Sequence, residues 1–131
     1  MITDRPILSL LRLEGVAAFA AGVALYLVNG GPWLALIPLL LVPDVSMVGY
    51  LRDARLGSLL YNVVHNWALG LAVLGLGFLA AQSWLVIAGA ILIAHVGMDR
   101  VLGYGLKLPT SFQETHLGLI GKARREATAQ S

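Results

Sequence analysis

Residues 84–102 read WLVIAGAILIAHVGMDRVL. The first eleven carry no ionisable group, and His95, Asp99 and Arg100 then fall within six positions. Nineteen residues in a helix rise about 28 Å, close to the hydrocarbon thickness of a bilayer. An open strand in that setting would leave its backbone unsatisfied, so the stretch reads as a membrane-crossing helix. A titratable side chain in hydrocarbon costs several kcal/mol, so His95 and Asp99 mark a functional site as well as a span.

Three more segments have the same character, at residues 7–28, 33–51 and 57–80. Pro6 suits a helix start. Asn29, Gly30, Gly31 and Pro32 break the chain between the first two spans. Residues 81–83 leave room only for a tight hairpin between the last two. The expected fold is an all-α membrane protein, a bundle of four transmembrane helices forming one integral membrane domain over residues 1–131. A tail over residues 103–131 completes it, with an apolar run at 116–121 that folds back over the mouth of the bundle.

Composition agrees. Of 131 residues, 58% are hydrophobic and 12% charged, against roughly 25% charged in an ordinary soluble domain. There is no cysteine, so disulfides and thiolate metal sites are excluded. The net charge is only +2, with no basic stripe and interleaved aromatics, so nucleic acid is not an expected partner. Arg12 and Glu14 interrupt the first apolar stretch, which reads as a retained span and not a cleaved leader.

The nine Lys and Arg residues set direction. Arg5, Arg12, Arg52, Arg55, Arg100, Lys107, Lys122, Arg124 and Arg125 all lie near the N-terminus, in the second loop, or at and beyond the end of the fourth span. The positive-inside rule then puts both termini in the cytoplasm, N-in and C-in. Trp33 and Trp84 fall at the opposite interface, and Tyr50, Tyr61 and Tyr104 near the inner one.

Counting along each helix puts Glu14, Asp44, His65 and His95 roughly 10–12 Å inside the cytoplasmic surface, with Asp99 one turn shallower. Each span supplies at least one member of this layer, and charges facing lipid would be very costly, so the groups are expected to face one another. His95 and Asp99 share a helix face, as do Asn62, His65 and Asn66. Pro43, next to Asp44, removes a backbone donor and kinks its helix beside Ser46. Each residue also has a plain structural reading. A lone histidine can serve as an interhelical hydrogen bond, Arg12 and Arg100 can snorkel to the interface, and Gly15, Gly22, Gly70, Gly75, Gly89 and Gly97 let helices approach.

Imidazole and carboxylate without thiolate suit zinc, iron or manganese. His65, His95, Asp99 and His116 are the candidate metal ligands, with Asp44 an alternative fourth, and Glu14 or Asp44 the candidate catalytic base. Asn62, Asn66, Arg100, Tyr104 and Lys107 are candidates for holding substrate, the last three at headgroup level. This inventory favours a metal-dependent membrane hydrolase acting on a lipid or amphiphile. Three alternatives use the same residues. One is a haem held between His65 and His95. Another is a proton relay, weakened because no polar path continues to the outer side. The last is a non-enzymatic accessory protein with a structural polar core. Four short helices bury little of their own surface, so a homodimer is also expected.

Several stretches carry a resemblance. Leu11-Arg12-Leu13-Glu14-Gly15, Pro43-Asp44-Val45-Ser46-Met47-Val48-Gly49-Tyr50, Tyr61-Asn62-Val63-Val64-His65, Ala94-His95-Val96-Gly97-Met98-Asp99-Arg100, Leu102-Gly103-Tyr104-Gly105-Leu106-Lys107 and Thr115-His116-Leu117-Gly118 resemble a bacterial family of small integral membrane proteins, domain of unknown function 4260. The likeness covers about residues 10–121. It implies a four-span protein of a bacterial plasma membrane and no known activity. It also implies that the polar positions above, together with Lys107 and His116, are motif positions.

Overall fold

The chain's structure is a computed structural model that describes residues 4–131. Helix α1, Arg5–Val28, starts where the Asp4 carboxylate accepts the Ile7 N–H at 3.3 Å, with Pro6 in the first turn. It ends at Asn29, and Gly30 turns the chain with a φ of +90°. A 3-10 turn, Trp33–Ala35, leads into the short α2, Leu36–Leu41, which continues as a 3-10 helix over Val42–Leu51. Helices α3, Ala54–Val64, and α4, Trp67–Leu79, follow, and then α5, Ser83–Leu102, closed by Gly103 in the left-handed region. The tail forms a small hairpin, β1 Glu114–Thr115 and β2 Gly118–Leu119, and a final helix α6, Gly121–Ala129.

Three helical segments, Arg5–Val28, Trp33–Leu51 and Ser83–Leu102, are long and apolar enough to cross a membrane. Helices α3 and α4 make a fourth if taken as one span bent by 41°. The faces turned away from the interior agree with that reading. Leu79 is 90% exposed and Leu34 and Ile37 73% each, an apolar exterior that water would not tolerate but acyl chains would.

Two spans depart from the regular helices the sequence suggests. The 57–80 stretch breaks at His65–Asn66 because the Asn66 side chain competes with the helix ladder. Its Nδ2 donates to the carbonyls of Asn62 (2.9 Å) and Val63 (2.6 Å), and its Oδ1 caps α4 by accepting the Leu69 N–H at 3.0 Å. The 33–51 stretch tightens to 3-10 geometry for ten residues, far beyond the usual three or four. That change begins at Val42, beside Pro43, which has no N–H to give the preceding turn.

Helix α5 is the central post, with Ala90, Ala94, His95 and Val96 all buried. Helix α1 runs antiparallel to it at backbone contact. A Cβ on Gly97 would stand 2.6 Å from the Phe19 nitrogen, and one on Gly15 2.7 Å from the Gly97 carbonyl. Helix α4 crosses on another face, where a Cβ on Gly89 would reach the Leu74 nitrogen at 2.5 Å. The 3-10 segment packs against α3. This brings the Asp44, His65 and His95 positions of three separate elements to one level.

Candidate metal centre

His65 and His95 are both fully buried, and Asp99 nearly so. His65 sits at the break between α3 and α4, where it caps α3. Its ring stacks on Tyr61, centroids 3.7 Å apart, and its Nδ1 lies 2.8 Å from the Tyr61 carbonyl. His95, on α5, turns its Nδ1 to the Leu40 carbonyl at 2.5 Å. A carbonyl only accepts, so in each ring Nδ1 carries a proton, and in the neutral imidazole Nε2 is then a lone pair. The Leu40 carbonyl is open because the next 3-10 donor in sequence would be residue 43, a proline.

The two Nε2 lone pairs point at each other across 2.9 Å. Two acceptors at that distance repel unless a proton or a metal ion lies between them. Two carboxylates close on the same point. Asp44 Oδ1 is 3.1 Å from both Nε2 atoms, and Asp99 Oδ2 is 3.4 Å from that of His95 and 3.8 Å from that of His65. One ligand atom from each of the four residues lies within 4.8 Å of all the others. Donors around a tetrahedral ion with bonds near 2.0–2.1 Å stand about 3.3 Å apart. The five distances straddle that value. Asp44, His65, His95 and Asp99 thus form a buried group able to hold a metal ion.

The surrounding shell fixes these ligands. The Tyr61 hydroxyl donates to Asp99 Oδ2 at 3.1 Å. The backbone carbonyls of Tyr61 and Leu40 hold the two rings in one tautomer, as outer partners of metal-bound histidines do. Ser46 Oγ donates to the Pro43 carbonyl and lies 3.5 Å from His65 Nδ1.

A cavity of about 290 Å³ opens on one side of the group. Asp44, Tyr61 and Asp99 line it together with the tail residues Tyr104, Lys107, Phe112, Gln113 and Ile120. The tail is held there by Asn62, which donates to the Lys107 carbonyl (2.8 Å) and accepts the Lys107 N–H (2.6 Å). The Lys107 ammonium donates to the Phe112 carbonyl at 3.0 Å and lies over the Phe112 ring. Burial lowers its pKa to about 8, against the opposing pull of Asp99 and Asp44.

Not every residue singled out in the sequence reaches this point. Glu14 is exposed on α1, since Gly15 is the face that meets α5 and a neighbouring position points about 100° away. It does not join the group. His116 does not either. Its Nδ1 accepts the Leu106 N–H at 2.8 Å, which uses the ring to fold the tail. Burial, with Arg100 nearby, lowers the His116 pKa. Asn62 and Asn66 are spent on the tail and on the helix break. Arg100 is buried but donates to the Tyr104 and His65 carbonyls and lines a different cavity. The haem alternative also fails. Axial ligands on one iron stand roughly 4 Å apart, twice a metal–nitrogen bond, with a porphyrin between them. Here the two Nε2 atoms are only 2.9 Å apart, and carboxylate oxygens lie 3.1–3.8 Å from them.

In the sequence Tyr61 reads as an interfacial aromatic at the start of the Tyr61–His65 stretch, with no role at the site. Its spacing from His65, one helical turn, was the available signal.

The family model described as Domain of unknown function (DUF4260) matches residues 8–120. The chain belongs to this family. No curated protein and no solved structure matches it. The matched region contains all four members of the group and Lys107, and stops before α6.

Proposed function

We propose that this chain is a metal-dependent membrane hydrolase that cleaves a lipid or other amphiphile at the Asp44–His65–His95–Asp99 centre. The observation that carries the reading is the pair of opposed Nε2 lone pairs, each fixed by its own Nδ1–H bond and flanked by carboxylates. His65, His95 and Asp99, all buried, are the holding ligands. A divalent ion bound by these residues would supply a Lewis acid for an ester or phosphoryl group and would lower the pKa of water. Asp44, whose side chain is one-third exposed, faces the cavity and accepts the proton of the attacking water. Lys107 and Tyr104 hold the anionic or carbonyl end of the substrate in that cavity. Phe112, Ile120 and Met47 give its apolar part a lining.

The same reading places the chain as a four-helix bundle in the plasma membrane of a bacterium, both termini cytoplasmic. The confinement of all nine Lys and Arg to one side of the spans supports that orientation. The cavity then opens at the cytoplasmic headgroup level, where an amphiphile presents its scissile bond.

The test is turnover of micellar ester, amide and phosphoester amphiphiles by purified protein, metal-loaded and chelated. Hydrolysis lost in chelator and restored by one divalent metal is expected. Asp44→Asn is expected to retain metal and lose at least about a hundredfold in rate, the scale of a general base. Metal binding without turnover of any class would leave a structural metal site and remove the enzyme. Absence of both would leave a polar core that only joins the helices.

A further inference from the structure

On the far side of the α5 C-terminus from the metal group lies a second cavity, of about 450 Å³. Three arginines line it, Arg12 from α1, Arg100 from α5 and Arg124 from α6, with no Asp or Glu side chain among the lining residues and the terminal residue Ser131 at its edge. Among the described residues, none of the three arginines pairs with a carboxylate. Arg100 donates to the Tyr104 and His65 carbonyls. Arg12 reaches across to the α5 C-cap, where a Cβ on Gly103 would sit 3.4 Å from its Nη2. Arg100 is buried and Arg12 and Arg124 are exposed, so an anion entering from solvent or the bilayer interface would meet three cationic residues at one cavity. The remaining walls are apolar, chiefly Leu8, Leu11 and Leu117. The apolar exterior of α1 at Leu10 and Leu13 continues from them.

We propose that this cavity binds the phosphate of an anionic phospholipid headgroup, with the acyl chains lying along the exposed leucines of α1. The chemistry is that of the ligand on both counts. A phosphodiester is a multidentate acceptor matched to guanidinium donors. A cavity with basic groups at one end and leucine at the other, next to the ends of apolar helices, fits a molecule with a charged head and apolar tails. This site is separate from the metal centre and does not depend on it.

Purified full-length protein in neutral detergent, titrated with phosphatidylglycerol and followed by native mass spectrometry and thermal unfolding, tests the assignment. Phosphatidylglycerol is expected to bind saturably and raise the unfolding temperature, and phosphatidylcholine is not. Arg12→Gln and Arg124→Gln are each expected to weaken binding about fivefold. Arg125→Gln removes the same charge from α6 outside the cavity and is expected to change nothing. Bound metal is expected to stay the same in all three variants, which separates failure here from failure of the hydrolase reading. Equal weakening by Arg125→Gln would reduce the effect to diffuse charge and overturn the proposal. So would equal binding of phosphatidylcholine. Inorganic phosphate binding as tightly as the lipid would make this a soluble-anion site and overturn the lipid assignment.

Discussion

At the scale of single residues, the account rests on which nitrogen of each histidine holds the proton. His65 and His95 each donate through Nδ1 to a backbone carbonyl, so both present Nε2 to the same point. Tyr61 supports the site from outside, through its hydroxyl on Asp99 and its ring under His65. Tyr61→Phe keeps the stack and removes the donor. Metal affinity, measured by competition with a chromophoric chelator, is expected to fall about 10- to 100-fold. An unchanged affinity would mean that Asp99 is not held by this bond. Lys107 gives a pH signature. Its folded pKa, about 8, lies below the ordinary lysine value of 10.5, so between those values the unfolded chain binds more protons than the folded one. Stability contributed through this group is therefore lowest below pH 8 and rises as pH climbs toward 10.5. Unfolding of wild type beside Lys107→Met is expected to show wild type gaining on the variant from pH 7 to pH 10. A constant gap would refute the depressed pKa.

At the scale of elements, two irregularities build the centre, and the sequence disclosed them unevenly. Pro43 announced a disturbed helix beside Asp44, but not that ten residues would run as 3-10 helix and free the Leu40 carbonyl for His95. The break at His65–Asn66 was not legible, because Asn66 has two uses. On a helix face it reads as a substrate contact, and only the fold shows it spent as a cap. Depth counting did bring Asp44, His65 and His95 to one level, with Asp99 one turn shallower, since the rise per residue is fixed. It could not place Glu14, because depth says nothing of azimuth, and the α1 face is decided by where glycine admits α5. That contact is itself testable. Gly97→Ala would drive a methyl into the Phe19 backbone and is expected to cost about 1–3 kcal/mol in a denaturant or heat series. Gly75→Ala, with open space around its Cβ, is expected to be neutral or stabilising by up to about 1 kcal/mol, since alanine is the better helix former. Equal losses at the two positions would contradict the packing of α1 on α5.

At the scale of the molecule, an apolar exterior surrounds a narrow polar interior that reaches only one end of the helices. The tail covers that end, bringing Lys107 and Phe112 over the carboxylates. Such an arrangement gives a buried ion an approach from the interface, and none from the opposite side is needed. The proposed orientation puts that approach in the cytoplasm. Reporter fusions at both ends are expected to be active only as cytoplasmic reporters, and a periplasmic signal from either end would reverse it.

The most direct measurement is X-ray absorption on the purified, metal-loaded chain, paired with elemental analysis. The account predicts about one divalent transition-metal ion per chain, with a first shell of two imidazole nitrogens and carboxylate oxygen. That signal should vanish in His65→Ala and His95→Ala proteins that still fold. Wild type that takes up no metal, or whose metal keeps its shell when both histidines are gone, would contradict the convergence of these four side chains on an ion.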